Sequence, residues 1–343
     1  MYRLAFIGFG TVGQGLANIL RNKEVMLREK YGFEYSVVAV SDFKLGSVYQ
    51  EDGIDIKTLL DGVERDGNIN GYPTGHEGWD ALKTIRHSNA DIILELTYTD
   101  VQTGQPATDH CRAAFNSGKH VVTSNKGPLV VAYRDLQNLA DQKGVQFRFE
   151  GTVVSGTPII NMATKDLAGC DITCIRGILN GTTNYILSEM EKGSSYQDVL
   201  KRAQELGYAE ADPTGDVEGW DALAKVVILS NVVLGGNIKA SDVQREGITG
   251  ISFDDINTAL KDGYRWKLIG ETKVQNGKIA ASVSPKALPL GDPLASVMGA
   301  TNALTFDTDL LGPVTVVGAG AGQMETGFSI LTDLLDIHRT VNK

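Results

Sequence analysis

The sequence predicts an α/β protein with an N-terminal doubly wound parallel sheet and a second, α+β domain. Over the first half of the chain, short apolar segments that fit strands alternate with segments that fit helices, which is typical of a parallel sheet. Three later segments predict strands of a second, antiparallel sheet, at residues 264–271, 278–283 and 303–308. A chain of 343 residues is long enough for two hydrophobic cores. We therefore expect domains at residues 1–134 and 135–317, with residues 318–343 packing back on the first.

The first predicted strand and helix enclose a glycine motif. Apolar residues 4–7 predict the strand, a helical pattern begins at Val12, and the pattern G-x-G-x-x-G lies between them. The motif consists of Gly8, Phe9, Gly10, Thr11, Val12 and Gly13. In such turns the first glycine makes the turn, the second lets the backbone approach a pyrophosphate, and the third packs the helix against the strand. This position favours a dinucleotide-binding, Rossmann-like domain, and a merely tight turn is the alternative.

The next predicted strands end in polar residues. Asp42 follows the second strand, Thr97 follows the third, and Ser124 and Lys126 follow the fourth. Because the carboxyl ends of parallel strands face the ligand crevice, we expect these side chains to contact the cofactor. An acid after the second strand binds the ribose of NAD and repels the extra phosphate of NADP, but Lys44 could bind that phosphate, so the cofactor is NAD(P). Lys126 is either a site residue or an ordinary loop lysine.

Two polar segments that contain glycine follow. Residues 150–158 (EGTVVSGTP) are too rich in glycine for a plain strand. Their carbonyl groups and the carboxylate of Glu150 could hold a monovalent cation, or the segment could simply connect the domains. Residues 180–184 (NGTTN) offer amides and hydroxyls that suit polar substrate binding or helix capping, and Thr182 is a candidate for the first role.

An apolar helical pattern follows a group of acids that includes Glu210 and Asp216. Apolar residues spaced at three and four positions from Val217 onward predict one helix, and in its middle every residue except Lys225 is apolar. A helix that is apolar all round is buried, so we expect Lys225 to lie inside the protein. Asp221 precedes it by four residues on the same face. A buried ammonium needs a partner or a task, and the alternatives are a lysine that reaches outward or a structural ion pair.

Composition excludes several classes of function. The formal net charge is −10, without a basic run, which argues against binding to nucleic acid or an anionic membrane. Three cysteines form an odd, sparse set that is typical of a reducing, cytoplasmic compartment, and the five histidines lack metal-ligand spacing. No apolar run reaches membrane-spanning length, and the N-terminus (MYRLAFIGFG) goes straight into a strand, so we expect no signal peptide.

Six motifs, in this order along nearly the whole chain, resemble the homoserine dehydrogenases. They are GFGTVG, VVTSNKGPL, EGTVVSGTPII, ILNGTTNYIL, GYAEADPTGDVEGWDALAK and GAGAG. The resemblance implies a Rossmann-like domain and a domain for substrate binding and dimerisation. It also implies reversible NAD(P)-dependent hydride transfer between L-homoserine and L-aspartate 4-semialdehyde, on the route to threonine, methionine and isoleucine.

The resemblance also implies roles for individual residues. Lys225 would exchange a proton with the substrate oxygen, and Lys126 would be a second active-site lysine. The substrate would be bound by Glu210, Asp216, Asp221 and Thr182. Gly207 and Gly322 would lie against the cofactor, and a cation, sodium, would be held by Glu150, Val153, Ser155 and Thr157. We further expect a homodimer and, because the chain ends after the helix that follows GAGAG, no C-terminal regulatory domain.

Two other functions fit part of the pattern. An aspartate-semialdehyde dehydrogenase needs a nucleophilic cysteine with a histidine, and none of Cys111, Cys170 and Cys174 lies in such a setting. A non-catalytic NAD(P) sensor would keep the fold but would need neither Lys126 nor Lys225.

Overall fold

The computed structural model describes residues 1–73 and 75–341. The chain forms two compact units: Met1–Gly156 together with the C-terminal segment from Gly322 is the first, and Thr157–Ala321 is the second. The first unit continues beyond the expected boundary at residue 134. It does so because a helix, Lys126–Lys143, runs through this position and the next strand joins the first sheet.

The first unit contains a seven-stranded sheet. Its strands are β1 (Tyr2–Ile7), β2 (Tyr35–Asp42), β3 (Gly46–Tyr49), β4 (His76–Glu77), β5 (Ile92–Glu95), β6 (His120–Thr123) and β7 (Phe147–Arg148). The order is β4-β3-β2-β1-β5-β6-β7, in which β3 pairs antiparallel with both β2 and β4 and all other neighbouring pairs are parallel. This confirms the doubly wound sheet. The short β3 and β4 were not predicted because they lie in a polar segment rich in glycine.

Helices cover this sheet. They are α1 (Thr11–Tyr31), α2 (Ile56–Asp66), α3 (Ala81–His87), α4 (Ala107–Asn116), α5 (Lys126–Lys143) and the C-terminal helix Gln323–Val341. The C-terminal helix packs against α1 through glycine, since a Cβ on Gly327 would lie 2.7 Å from the backbone nitrogen of Leu16. Helix α5 was not predicted because Gly127 and Pro128 indicate a turn. Proline is tolerated there because first-turn N–H groups lack helical partners.

The second unit contains a six-stranded sheet with helices. Its strands are β8 (Ile172–Ile178), β9 (Gln244–Arg245), β10 (Tyr264–Gln275), β11 (Lys278–Pro289), β12 (Thr301–Thr308) and β13 (Gly312–Ala319), in the order β13-β12-β8-β10-β11-β9. All neighbours are antiparallel except β9 and β11. The helices are α6 (Gly181–Met190), α7 (Tyr196–Glu205), α8 (Thr214–Val217), α9 (Trp220–Val232) and α10 (Phe253–Lys261). Within the described ranges, no helix has the length and apolar character that crossing a membrane requires.

Helix α9 confirms one prediction and corrects another. The predicted burial of Lys225 is confirmed: it is 7% exposed, all residues of α9 from Ala222 to Asn231 are buried, and the helix packs against β10 and β11. The single helix predicted from Val217 onward is wrong. Gly219 adopts a left-handed conformation (φ +81°) and separates α8 from α9. Trp220, predicted as an apolar position of the buried face, is 41% exposed.

Candidate active site

Lys225 has two fixed acceptors. Its Nζ donates to the backbone oxygen of Leu179, 2.6 Å away, and to Oδ2 of Asp221, 2.7 Å away. The lysine side chain is 8% exposed and that of Asp221 is 21% exposed, so the ion pair is largely shielded from water. The pairing follows from the helix, which places residues four apart on one face. The alternative in which Lys225 reaches outward into solvent is therefore wrong.

Asp216 joins this cluster through Asn180. The side-chain Nδ2 of Asn180 donates to Oδ1 of Asp216 at 2.7 Å and to Oδ2 of Asp221 at 3.0 Å. Burial raises the pKa of Asp216, and the charge of Asp221 also raises it. The hydrogen bond from Asn180, the charge of Lys225 and the nearby hydroxyl of Thr182 act in the opposite direction. Two acids, one amine and one neutral amide thus form a single, largely buried polar cluster.

Three other predicted residues lie around the loop that follows α7. Gly207 follows the end of α7 in a left-handed conformation (φ +75°), and Glu210 lies in the same loop with an exposed side chain. Thr182 donates its hydroxyl to the backbone oxygen of Tyr208 at 2.6 Å and so ties α6 to this loop. The structure therefore brings Thr182 to the loop that carries Gly207 and Glu210.

The glycine motif of the first unit lies where ligands bind in doubly wound sheets. The five parallel strands lie in the order β2-β1-β5-β6-β7, so the direction in which the chain adds strands to the sheet reverses between β1 and β5. Residues 8–13 follow the carboxyl end of β1 at this reversal. The backbone nitrogen of Phe9 donates to Oδ2 of Asp42 at 2.7 Å, and Oδ1 of Asp42 accepts from the nitrogens of Lys44 and Leu45. Asp42 thus holds the end of β2 against the glycine turn.

Substitution by alanine is expected to have different effects at Gly8 and at Gly10. Gly8 has a φ of +94°, and a Cβ there would lie 2.5 Å from the backbone oxygen of Leu96, whereas a Cβ on Gly10 would meet nothing within 4 Å. We expect Gly8→Ala to lower the free energy of unfolding by about 3 kcal/mol. Gly10→Ala should fold normally, and we expect it to weaken dinucleotide binding, because the pyrophosphate predicted at this turn would meet the added methyl group.

Urea unfolding and NADH titration of both variants measure these two effects separately. A Gly8→Ala protein as stable as wild type, or a Gly10→Ala protein that binds NADH normally, would contradict the assigned roles.

The strand ends around Lys126 are joined by hydrogen bonds. Lys126 is half-buried as the first residue of α5, and Asn125 caps this helix by accepting from the nitrogen of Gly127 at 3.0 Å. The Nδ2 of Asn125 donates to the backbone oxygens of Thr97 and Tyr98, at 3.1 and 2.8 Å. The structure therefore brings Thr97 and Lys126 to one edge of the sheet, with the half-buried Ser124 beside them.

A buried acid lies below this edge. Glu95 is fully buried, accepts from the hydroxyl of Thr97, and lies 3.2 Å from Nδ1 of His110. The hydroxyl of Thr97 is therefore turned inward, toward a carboxylate. Neither Glu95 nor His110 was predicted as a site residue, although an acid as the penultimate residue of an apolar strand segment was a usable signal.

The predicted cation loop has an unusual backbone. Val154 and Ser155 are consecutive non-glycine residues with φ of +56° and +52°. Glu150 is 2% exposed, and its backbone nitrogen donates to Oδ2 of the buried Asp333 at 2.9 Å. Burial, and then the charge of Glu150, raise the pKa of Asp333 strongly.

Side chains anchor both ends of this loop. The hydroxyl of Ser155 lies 2.6 Å from that of Thr326, and Val153 is fully buried. Thr157 belongs to the second unit, where its hydroxyl donates to the backbone oxygen of Ala319 at 3.1 Å. Gly322, predicted to lie against the cofactor, has a φ of +143° and belongs to the first unit.

Comparisons with known proteins cover both units. A homoserine dehydrogenase family profile matches residues 158–335, and the profile of the homoserine dehydrogenase NAD-binding domain matches residues 8–150. The chain is 45% identical to an NAD(+)-dependent homoserine dehydrogenase from Pseudomonas canavaninivorans, over 100% of this chain and 97% of the relative. It is 43% identical to a homoserine dehydrogenase from Methanocaldococcus jannaschii, over 99% of each. A solved hyperthermophilic archaeal homoserine dehydrogenase in complex with NADPH has a TM-score of 0.84 and 29% identity, over 99% of this chain and 98% of that one.

Proposed function

The chain belongs to the homoserine dehydrogenase family, and we propose from this premise how its residues carry out the reaction. The protein is an NAD(P)-dependent oxidoreductase that interconverts L-homoserine and L-aspartate 4-semialdehyde. Reducing the aldehyde requires a hydride on carbon and a proton on oxygen. The bound nicotinamide supplies the hydride, and side chains of this chain supply the proton and hold the substrate.

The geometry at Lys225 carries the proposal. An ammonium has three hydrogens, and two of them are directed to acceptors that cannot donate in return, the backbone oxygen of Leu179 and the carboxylate of Asp221. Within the described residues, the third tetrahedral position of Nζ has no hydrogen-bond partner and is available to the substrate. In the charged lysine this position is a hydrogen that can be donated to the aldehyde oxygen. In the neutral lysine it is a lone pair that can accept the proton of the homoserine hydroxyl. We assign the proton transfer to Lys225 on this basis. Family resemblance alone assigns Lys126 as a second active-site lysine.

The acidic residues suit the ammonium end of an amino-acid substrate. Asp216 and Asp221 share one amide donor and lie in a largely buried group, where a second cation would be attracted strongly. Glu210 is exposed in a loop that Thr182 holds through Tyr208, so it can approach the substrate from the solvent side. We therefore assign substrate binding to these three acids and Thr182.

The first unit fits a dinucleotide cofactor. Gly10 leaves open space where a pyrophosphate would lie, and the first-turn N–H groups of α1 face the same region. Thr97 and Ser124 end neighbouring strands at this edge. We assign the cofactor to the glycine motif, Asp42, Thr97, Ser124 and Lys126, and to Gly207 and Gly322 by family resemblance.

Asp42 favours NAD over NADP. Its carboxylate is held at the end of β2 by backbone hydrogen bonds, whereas the side chain of Lys44 is exposed. Two like charges about 4 Å apart near a protein surface repel by between ~1 and ~4 kcal/mol, and ~1.4 kcal/mol is a tenfold change in Kd. We expect NAD to bind about tenfold more tightly than NADP.

One set of measurements tests the function. Absorbance of the reduced nicotinamide, followed with homoserine and either cofactor, should rise only when homoserine is present, and titrations give both Kd values. Binding of NAD(P) without turnover of homoserine would identify a sensor and contradict the proposed function. Equal or tighter NADP binding would contradict the role of Asp42.

Sodium binding at the loop of residues 150–157 is a further part of the proposal. Left-handed Val154 and Ser155 cost about 1–3 kcal/mol each, and a cation bound to the backbone oxygens of this loop would offset that strain. Repeating the homoserine assay in choline chloride, with and without NaCl, tests it. Equal rates in the two buffers would contradict the site. Formation of a homodimer and a cytoplasmic location stay predictions, which light scattering and cell fractionation can test.

A further inference from the structure

We propose that Asn180 is a positioning residue that holds Asp216 and Asp221 in place for the substrate and for Lys225. This inference rests on the proposed function of that site. Asn180 follows β8, is 5% exposed, and carries no charge of its own. It acts through the acids that it contacts, so we expect it to affect the geometry and ionisation of the site and not to exchange protons itself.

Both hydrogens of one amide are used on two carboxylates. Nδ2 of Asn180 lies 2.7 Å from Oδ1 of Asp216 and 3.0 Å from Oδ2 of Asp221. The same Oδ2 accepts from Nζ of Lys225. Without the amide, the carboxylates of Asp216 and Asp221 would face each other with no shared donor between them. The amide therefore lets Asp216 stay beside the ion pair without competing for Lys225.

The orientation of the amide is fixed by helix capping. Oδ1 of Asn180 accepts from the backbone nitrogen of Thr183 at 2.9 Å and from its hydroxyl at 3.0 Å. This cap satisfies a first-turn N–H group of α6. Exchanging the oxygen and nitrogen of the amide would lose the cap and direct an oxygen at two carboxylates. Asn180 thus needs both an acceptor and a two-hydrogen donor, and no other side chain of this length offers both.

The backbone around Asn180 is also held in place. The backbone oxygen of Leu179, the preceding residue, accepts a hydrogen bond from Nζ of Lys225. One turn along α6, Asn184 receives a hydrogen bond at 2.8 Å from Nζ of Lys267, a lysine of β10 that is fully buried. Burial lowers the pKa of Lys267 to about 8. Leu179 and Asn180 therefore connect Lys225, Asp216 and Asp221 to the start of α6. The hydrogen bond from Lys267 of β10 holds this part of α6 in place.

Electrostatics gives the expected sign of a pH effect. The groups that act on Asp216 are Asp221 and Lys225 on α9, and Asn180 and Thr182 at the start of α6. The hydrogen bond from Asn180 stabilises the charged carboxylate and lowers the pKa of Asp216, against the raising effects of burial and Asp221. Removing that donor raises the pKa of Asp216 further. The acid limb of the pH profile of kcat/KM for homoserine should then move to higher pH.

The test compares Asn180→Asp and Asn180→Ser with wild type. Both retain a good N-cap, but Asp replaces the donor by a third carboxylate, and Ser is too short to reach the acids. Two lost charged hydrogen bonds predict a fall of about 100-fold in kcat/KM for Asn180→Asp and at least about tenfold for Asn180→Ser. The acid limb should move up in both, and the Kd for NAD should not change.

Asn231 provides a matched control. It is a buried amide of the same unit, 8% exposed, whose Nδ2 donates to the backbone oxygen of Ile238 and not to an acid. Asn231→Asp should lower the melting temperature and leave the pH profile as in wild type.

The outcomes separate the two levels of the proposal. Folded Asn180 variants with the kcat/KM and pH profile of wild type would overturn the positioning role and leave the proposed function standing. Failure of both Asn180 variants to fold, while Asn231→Asp folds, would reduce Asn180 to a structural cap and also overturn the role. A wild-type protein without homoserine-dependent activity would overturn the proposed function and this inference together.

Discussion

Replacing Lys225 with methionine is expected to lower kcat for homoserine oxidation about 1000-fold, within the range typical of a lost acid–base group. Methionine matches the length of the lysine stem and suits the apolar surroundings of α9, so the helix should keep its packing. The Kd for NAD should stay at its wild-type value, because cofactor binding is assigned mainly to the first unit. Steady-state kinetics and NADH titration of the purified variant measure both quantities.

Lys119 offers a control of equal burial. It is also 7% exposed, but its Nζ donates to the backbone oxygen of Ser88 at 2.6 Å, at the amino end of β6. Lys119→Met should lower the free energy of unfolding, because the hydrogen bond to Ser88 is lost, and it should leave kcat unchanged. If Lys225→Met turned over homoserine at the wild-type rate, Lys225 would be only the structural ion-pair partner that sequence analysis kept as an alternative.

Removing Asp221 is expected to lower the free energy of unfolding by about 3 kcal/mol. Asp221→Ala leaves the buried ammonium of Lys225 without its carboxylate, and an uncompensated buried charge is strongly unfavourable. The double variant Asp221→Ala with Lys225→Met removes the charge as well. It should regain most of the lost stability while remaining inactive. Urea unfolding of the two single variants and the double variant gives the coupling energy directly.

A surface pair with the same spacing serves as the comparison. Lys57 and Asp61 are also four residues apart on a helix, but their side chains are 72% and 52% exposed and their charged atoms are 3.8 Å apart. Asp61→Ala should change stability by less than about 1 kcal/mol. Equal effects of Asp61→Ala and Asp221→Ala would mean that the pair in α9 is not shielded from water as described.

Local sequence patterns predicted the arrangement of site residues that lie close together in the sequence. The spacing of Asp221 and Lys225 is a property of one helix turn, and the apolar residues around them predicted burial correctly. The glycine motif likewise lies within six consecutive residues that join one strand to one helix. In each case the local geometry comes from one short segment, so the sequence alone was sufficient to predict that geometry.

Contacts between distant segments could not be predicted in this way. Asn180 meets Asp216 and Asp221 across 36 and 41 residues, and neither periodicity nor composition indicates that contact. The break at Gly219 escaped the hydrophobic pattern because the apolar spacing continues through it, although a glycine was present to permit the left-handed turn. Helix α5 was missed because local turn chemistry outweighed the helical pattern after it.

A crystal structure with NAD and homoserine bound would give the distance from Nζ of Lys225 to the hydroxyl oxygen of the substrate, and this distance decides whether Lys225 can transfer the proton. We predict about 3 Å, with Nζ still hydrogen-bonded to Leu179 and Asp221 and its remaining position directed at the substrate. A substrate oxygen out of hydrogen-bond reach of Lys225, paired with another acid–base group, would contradict it.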